Sequence, residues 1–119
     1  MSFEAYRRAR TIVETPRATE RRLIGQIIGD MIAARDAGLR GARLMPVLHR
    51  NREMWNTFAA ACGAPGNALP DGVRAGIISL GLWVDRHTSE VVAGRETIDA
   101  LIGINRSILD GLAAEALAA

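Results

Sequence analysis

Hydrophobic residues recur three and four positions apart along most of this chain, and no stretch alternates with a period of two for a useful length. The clearest run is Leu23, Ile24, Ile27, Ile28, Met31 and Ile32, which fall on one side of a helix opened by Thr15 and Pro16 and ended by Gly38. Ahead of it, Ser2 can cap a short first helix that carries Phe3, Tyr6 and Val13 on one stripe. A third helix begins between Gly41 and Pro46 and runs to Cys62, with Gly63 as its stop. The stretch GAPGNALPDG is the clearest loop, after which Pro70 opens a fourth helix reaching about Val92. Beyond the break at Gly94, a fifth helix spans roughly Glu96 to Leu112.

The pattern therefore predicts an all-α fold: a single-domain bundle of about five helices over residues 1–119, with 1–14 as an N-terminal arm helix and 113–119 as a frayed tail. The fourth helix carries Val73, Ile77, Leu80 and Val84 on one face and Ile78 and Leu82 on another. A helix apolar on two sides is normally central, so this one is expected at the middle of the bundle.

Two apolar stripes contain a polar gap. On the third helix the stripe Val47, Leu48, Met54, Trp55, Phe58 and Cys62 takes in Asn51; on the fifth, Ile98, Leu101, Ile102, Ile108, Leu109 and Leu112 take in Asn105. An unpaired buried amide costs roughly 1–3 kcal/mol, so each requires a partner. Either the two amides fix helix register, or they line a groove and offer hydrogen bonds to an incoming helix. Arg52 and Arg106, one position on, sit at the rims of the stripes. Six glycines, Gly25, Gly29, Gly76, Gly81, Gly103 and Gly111, also fall inside predicted helices. They permit either close backbone approach or a deformable bundle.

Composition sharpens this picture in three ways. The 49% hydrophobic content holds only 4% aromatic residues, so the core is aliphatic. No apolar run is long enough for a membrane span and no signal peptide opens the chain, which places the protein in the cytoplasm. All fifteen basic residues are arginine, and six of them lie in residues 1–22 against Glu4, Glu14 and Glu20. Any attraction for an acidic partner such as RNA resides there, with Arg7, Arg8, Arg10, Arg21 and Arg22 as candidates and Tyr6 available to stack on a base.

Chemistry-bearing motifs are missing. His49, His87 and the lone Cys62 have no metal-ligand spacing, Cys62 lacks the flanks of a nucleophile, and no phosphate loop or dinucleotide fingerprint occurs. The chain reads as a non-enzyme with no metal and no cofactor.

In order, the segments MSFEAY, TPRATERRLIGQ, NREMW, PGNALP, RAGIISLGLWVDRHTSEV and LIGINRSILDGL resemble the FlaF family of alphaproteobacterial flagellar biosynthesis proteins. The resemblance covers nearly the whole chain. It implies a cytoplasmic factor in bacterial flagellum biogenesis: a flagellin-specific secretion chaperone, or a regulator of flagellin synthesis acting on flagellin mRNA or through the regulator FlbT. The expected partner is therefore flagellin or, in the regulator reading, FlbT. An unassembled flagellin terminus is an amphipathic segment that a groove on a helical bundle can cover. The residues read as partner-binding are Asn51, Arg52, Trp55, Phe58, Trp83, Asn105 and Arg106, with the aromatics as anchors or, equally, as core.

Overall fold

A computed structural model describes the backbone of residues 16–118 and the side chains of residues 19–111. It contains four α-helices, α1 (Pro16–Asp36), α2 (Met45–Gly63), α3 (Asp71–Val92) and α4 (Asp99–Ala118), with a 3-10 turn at Gly41–Leu44 leading into α2. Among the described residues there is no strand, as the helical periodicity requires. The count is four rather than five because the expected first helix falls on residues 1–14, outside the described part.

Two helix ends show why the chain stops where it does. After α1, Gly38 adopts φ 73°, its N–H bonds the Arg35 carbonyl at 2.9 Å, and Leu39 N–H reaches the Ala34 carbonyl at 3.1 Å. The same paired bonds close α3: Gly94 at φ 79° bonds Val91, and Arg95 bonds Glu90. Both are glycine-dependent Schellman ends. Arg95 then pairs through its side chain with Glu90, and that hydrogen bond holds the Glu90 carboxyl below its ordinary pKa. Because Arg95 and Glu96 both bond the Glu90 carbonyl and the Ile98 carbonyl accepts from Leu101 and Ile102, α4 starts at Asp99 and not at the expected Glu96.

The loop between α2 and α3 is fastened by one side chain. Asn67 Nδ2 donates to the Ala61 carbonyl at 2.9 Å, and its Oδ1 accepts from Leu69 N–H at 2.9 Å. One amide thus satisfies an orphan carbonyl at the end of α2 and an N–H in the turn. Replacing Asn67 by Ala is expected to lower stability by about 1–2 kcal/mol, seen as a shift of the urea midpoint at constant slope.

The core gathers Ile24, Ile27 and Met31 of α1, Leu48, Met54 and Trp55 of α2, Val84 of α3, and Leu101 and Ile102 of α4. The central element is α2, which packs extensively on α3, contacts α1, and is hydrogen-bonded to α4. This corrects the expectation that the helix at 71–92 is central. On α3 neither apolar face is fully covered: Val73 of the first is 46% exposed and Leu82 of the second 60% exposed. On α2, by contrast, Val47, Leu48, Asn51, Met54, Trp55 and Cys62 of its single stripe are all interior.

Ion pairs brace the outside of the bundle. Arg50 of α2 pairs with Asp30 of α1, Arg35 of α1 with Asp99 of α4, and Arg52 of α2 with Asp85 of α3. Exposed pairs of this kind each contribute little, but together they fix which flanks are neighbours. Arg35 titrates above its ordinary value because Asp99 and then Asp36 hydrogen-bond its charged form.

Candidate partner-binding site

The two asparagines meet. Asn105 Nδ2 donates to Asn51 Oδ1 at 2.7 Å, and Trp55 Nε1 donates to Asn105 Oδ1 at 2.9 Å. An indole N–H can only donate, so Asn105 must turn its oxygen to Trp55 and its amide nitrogen to Asn51. Both amides are 0% exposed and Trp55 is 1% exposed. The network therefore links α2 to α4 across the core and sets their register, in agreement with the first of the two readings of the polar gaps. Asn51 Nδ2 has no hydrogen-bond partner among the described residues.

The other sequence-derived residues lie elsewhere. Arg52 points to α3, with Nε 2.6 Å from Asp85 Oδ1 and Nη2 near Ser89 Oγ. Phe58 is half-buried and meets the Trp55 ring edge-on at 6.1 Å. Trp83 is half-buried and stacks on His87, with centroids 4.6 Å apart. Arg106 is exposed on α4, and of the basic candidates Arg21 is half-buried and Arg22 exposed at the start of α1. Arg7, Arg8 and Arg10 lie outside the described residues. Asn51, Trp55 and Asn105 thus form one interior cluster, whereas Phe58, Trp83 and Arg106 stand at separate points on the surface.

Two apolar surfaces remain open to a partner. The first follows from how α4 sits. Asp99 turns toward α1, so Ile104 and Ile108, about 140° and 180° further around the helix, turn away from α1 and toward the α3 side. On α3, His87 reaches the Thr97 carbonyl at 3.3 Å and so faces the connection to α4. Val73, Leu80 and Trp83 lie within about 40° of His87 on the same helix flank. Yet α3 and α4 scarcely touch. Leu80 and Trp83 on this flank of α3 and Ile104 and Ile108 on that flank of α4 are all half-buried, and Val73 near the start of α3 is exposed.

The second surface is a cleft of about 230 Å³ between α1 and α2, lined by Leu23, Ile27, Met54 and Phe58, with Arg50, Glu53 and Thr57 at its rim. Sequence reasoning singled out Trp83 and Phe58 but missed the aliphatic walls beside them. The signal was there in the surplus apolar face of residues 73–84, which was read as burial.

His49 pairs with Glu53 at 3.1 Å on an exposed turn, and Cys62 is buried and free. Among the described residues no three His, Cys, Asp or Glu side chains converge, and no helix is long and apolar enough to cross a membrane.

Comparison with known proteins adds the identity of the family. Neither curated proteins nor solved structures gave a match. The family model described as flagellar protein FlaF matches residues 2–112, which takes in α1, α2 and α3 whole, α4 as far as Leu112, and both ends of the asparagine network. The chain belongs to the FlaF family of flagellar proteins.

Proposed function

We propose that this protein is a non-catalytic, flagellin-specific secretion chaperone of the cytoplasm. In this reading it holds an amphipathic terminal segment of flagellin in the groove between α3 and α4 until export. The observation that carries it is that Leu80 and Trp83 of α3 and Ile104 and Ile108 of α4 are only half-buried on two helices that scarcely touch. A helix laid between them presents apolar residues at three- and four-residue spacing to both walls. Completing the burial of an aliphatic or aromatic side chain contributes up to about 1.5–3 kcal/mol, so four or five anchors support micromolar binding after the cost of ordering the segment. Asn51 and Asn105 have no part in the contact; they hold α4 in place so that its wall stays put.

The test is a titration against purified flagellin and against flagellin lacking either terminus. Leu80→Asp and Ile104→Asp should each weaken binding by at least about tenfold, because each sets a charge against an apolar ligand face. Unchanged circular dichroism separates that effect from unfolding. Absence of binding to every form of flagellin at micromolar concentration sinks the proposal.

The excess of arginine in residues 1–22 favours a second reading, a post-transcriptional regulator that contacts flagellin message through Arg7, Arg8, Arg10, Arg21 and Arg22 or acts through FlbT. The same titration with message in place of flagellin tells the two apart.

A further inference from the structure

We infer that the outer face of α3, from Asp71 to Arg86, pairs two copies of this chain across a two-fold axis, with the two α3 helices antiparallel. The inference goes beyond the flagellin reading and uses another face, since Leu82 lies about 100° around α3 from Trp83 and about 160° from Leu80. Three observations carry it.

The outer face is apolar on the side turned to solvent. Leu82 is 60% exposed, more than any other large hydrophobic side chain among the described residues. Ala75 and Ser79 are exposed beside it, Ile78 is half-buried, and the whole run from Ala75 to Val84 holds no charge. Positions 71, 75, 78, 82 and 86 are four, three, four and four apart, so they form one strip along α3 with the spacing of a helix-pairing seam. The strip turns away from Val84 and Thr88, through which α3 is buried in its own bundle.

Charge selects a second copy as the occupant and sets its direction. The strip is acidic at one end, at Asp71, and basic at the other, at Arg86, about 22 Å along the helix. A parallel pair sets Asp71 on Asp71 and Arg86 on Arg86. Turned antiparallel about a point between Ile78 and Ser79, each Asp71 comes beside the Arg86 of the other copy, so opposite charges meet at both ends of the contact. The Asp71 side chain is 94% exposed, and Arg74 of its own helix takes Oδ1 and leaves Oδ2. Arg86 is exposed and makes no ion pair among the described residues. A face that is complementary to itself in this way is what a two-fold interface requires.

Shape agrees with charge. The same rotation sets Leu82 of one copy over Ala75 of the other at two symmetric points, so a large side chain meets a small one on each side of the axis. One helix pair covers less than the roughly 1,200 Å² of a standard interface, so association is expected at about 10–100 μM and not in the nanomolar range.

The test is sedimentation equilibrium of the full chain from about 5 to 500 μM, a range that brackets this affinity. The parent should pass reversibly from monomer to dimer. Leu82→Arg should stay monomeric throughout with unchanged circular dichroism, because the side chain it replaces is mostly in solvent. Asp71→Arg and Arg86→Asp should each weaken dimerisation by about tenfold, since each turns two attractive contacts into two repulsive ones. An equimolar mixture of these two variants should then recover the parent's association, because both end contacts of the mixed pair again join opposite charges. That recovery is specific to an antiparallel two-fold pair. A parent that stays monomeric at the highest concentration, a dimer that survives Leu82→Arg, or a mixture that associates no better than its components would each overturn the inference. None of these outcomes depends on whether flagellin binds.

Discussion

Replacing Asn105 by alanine should lower the stability of the fold by about 3–6 kcal/mol, a large part of the roughly 5–15 kcal/mol that a domain has. The substitution orphans two groups at once, the Trp55 Nε1 donor and the Asn51 Oδ1 acceptor, each with no access to water. Each such loss costs roughly 1–3 kcal/mol, and the missing side chain adds a small cavity. Asn51→Ala is expected to cost clearly less, because it orphans only Asn105 Nδ2 while the Asn51 Nδ2 it removes already has no partner. Urea unfolding of the two variants measures the difference directly; equal costs would mean the network is not arranged with Asn105 in the middle. Combining Asn51→Leu, Asn105→Leu and Trp55→Phe removes every donor and acceptor of the network together and should recover most of the loss. What the triple variant gives up is the specified register between α2 and α4, and with it the position of the Ile104 and Ile108 wall.

The same network shows what could be read from the chain and what could not. A side-chain amide placed where helical spacing demands an inward residue cannot stay unpaired, so that Asn51 and Asn105 each have a partner was legible before any coordinates, but not whether that partner was the other amide or an incoming helix. That Trp55 would join them was not, because an indole on an apolar stripe is compatible with core, groove or anchor, and only the packing of α2 on α4 decides. The helices at 16–36 and 71–92 and the end of the one at 45–63 were legible from proline and glycine placed at the ends of periodic runs, whereas Pro46 left the start of the last anywhere from Gly41 onward. The order of the layers was not. A two-faced apolar helix such as α3 can lie at the centre of a core or at the edge of a bundle awaiting a partner, and the stripe itself is the same in both cases. The candidate site suffered from this directly: Leu80 was visible as an apolar position, but that it stays half-buried while α3 and α4 scarcely touch is a long-range fact.

The internal glycines supply the second large effect. Substituting Gly25, Gly29, Gly76 and Gly103 by alanine together should raise stability by about 3–4 kcal/mol, since each glycine costs about 0.8–1 kcal/mol relative to alanine in a helix. At all four positions a Cβ would meet no described atom within 4 Å, and none of them adopts positive φ. Close backbone approach, the first explanation for Gly25 and Gly29 at their four-residue spacing, therefore does not account for them. The sites lie on three helices without shared partners, so their effects should be nearly additive, a rise of roughly 10–30 °C in Tm. Among the two explanations for these glycines, a bundle soft enough to part is the one that remains, and it belongs with α3 and α4 already scarcely touching. The quadruple variant is then expected to unfold at higher temperature and to bind flagellin more slowly than the parent, because opening the groove bends helices that alanine stiffens. Calorimetry and a stopped-flow association rate on the same preparation decide it: a higher Tm with an unchanged rate would show that the groove admits its ligand without bending, and that the glycines have no share in binding.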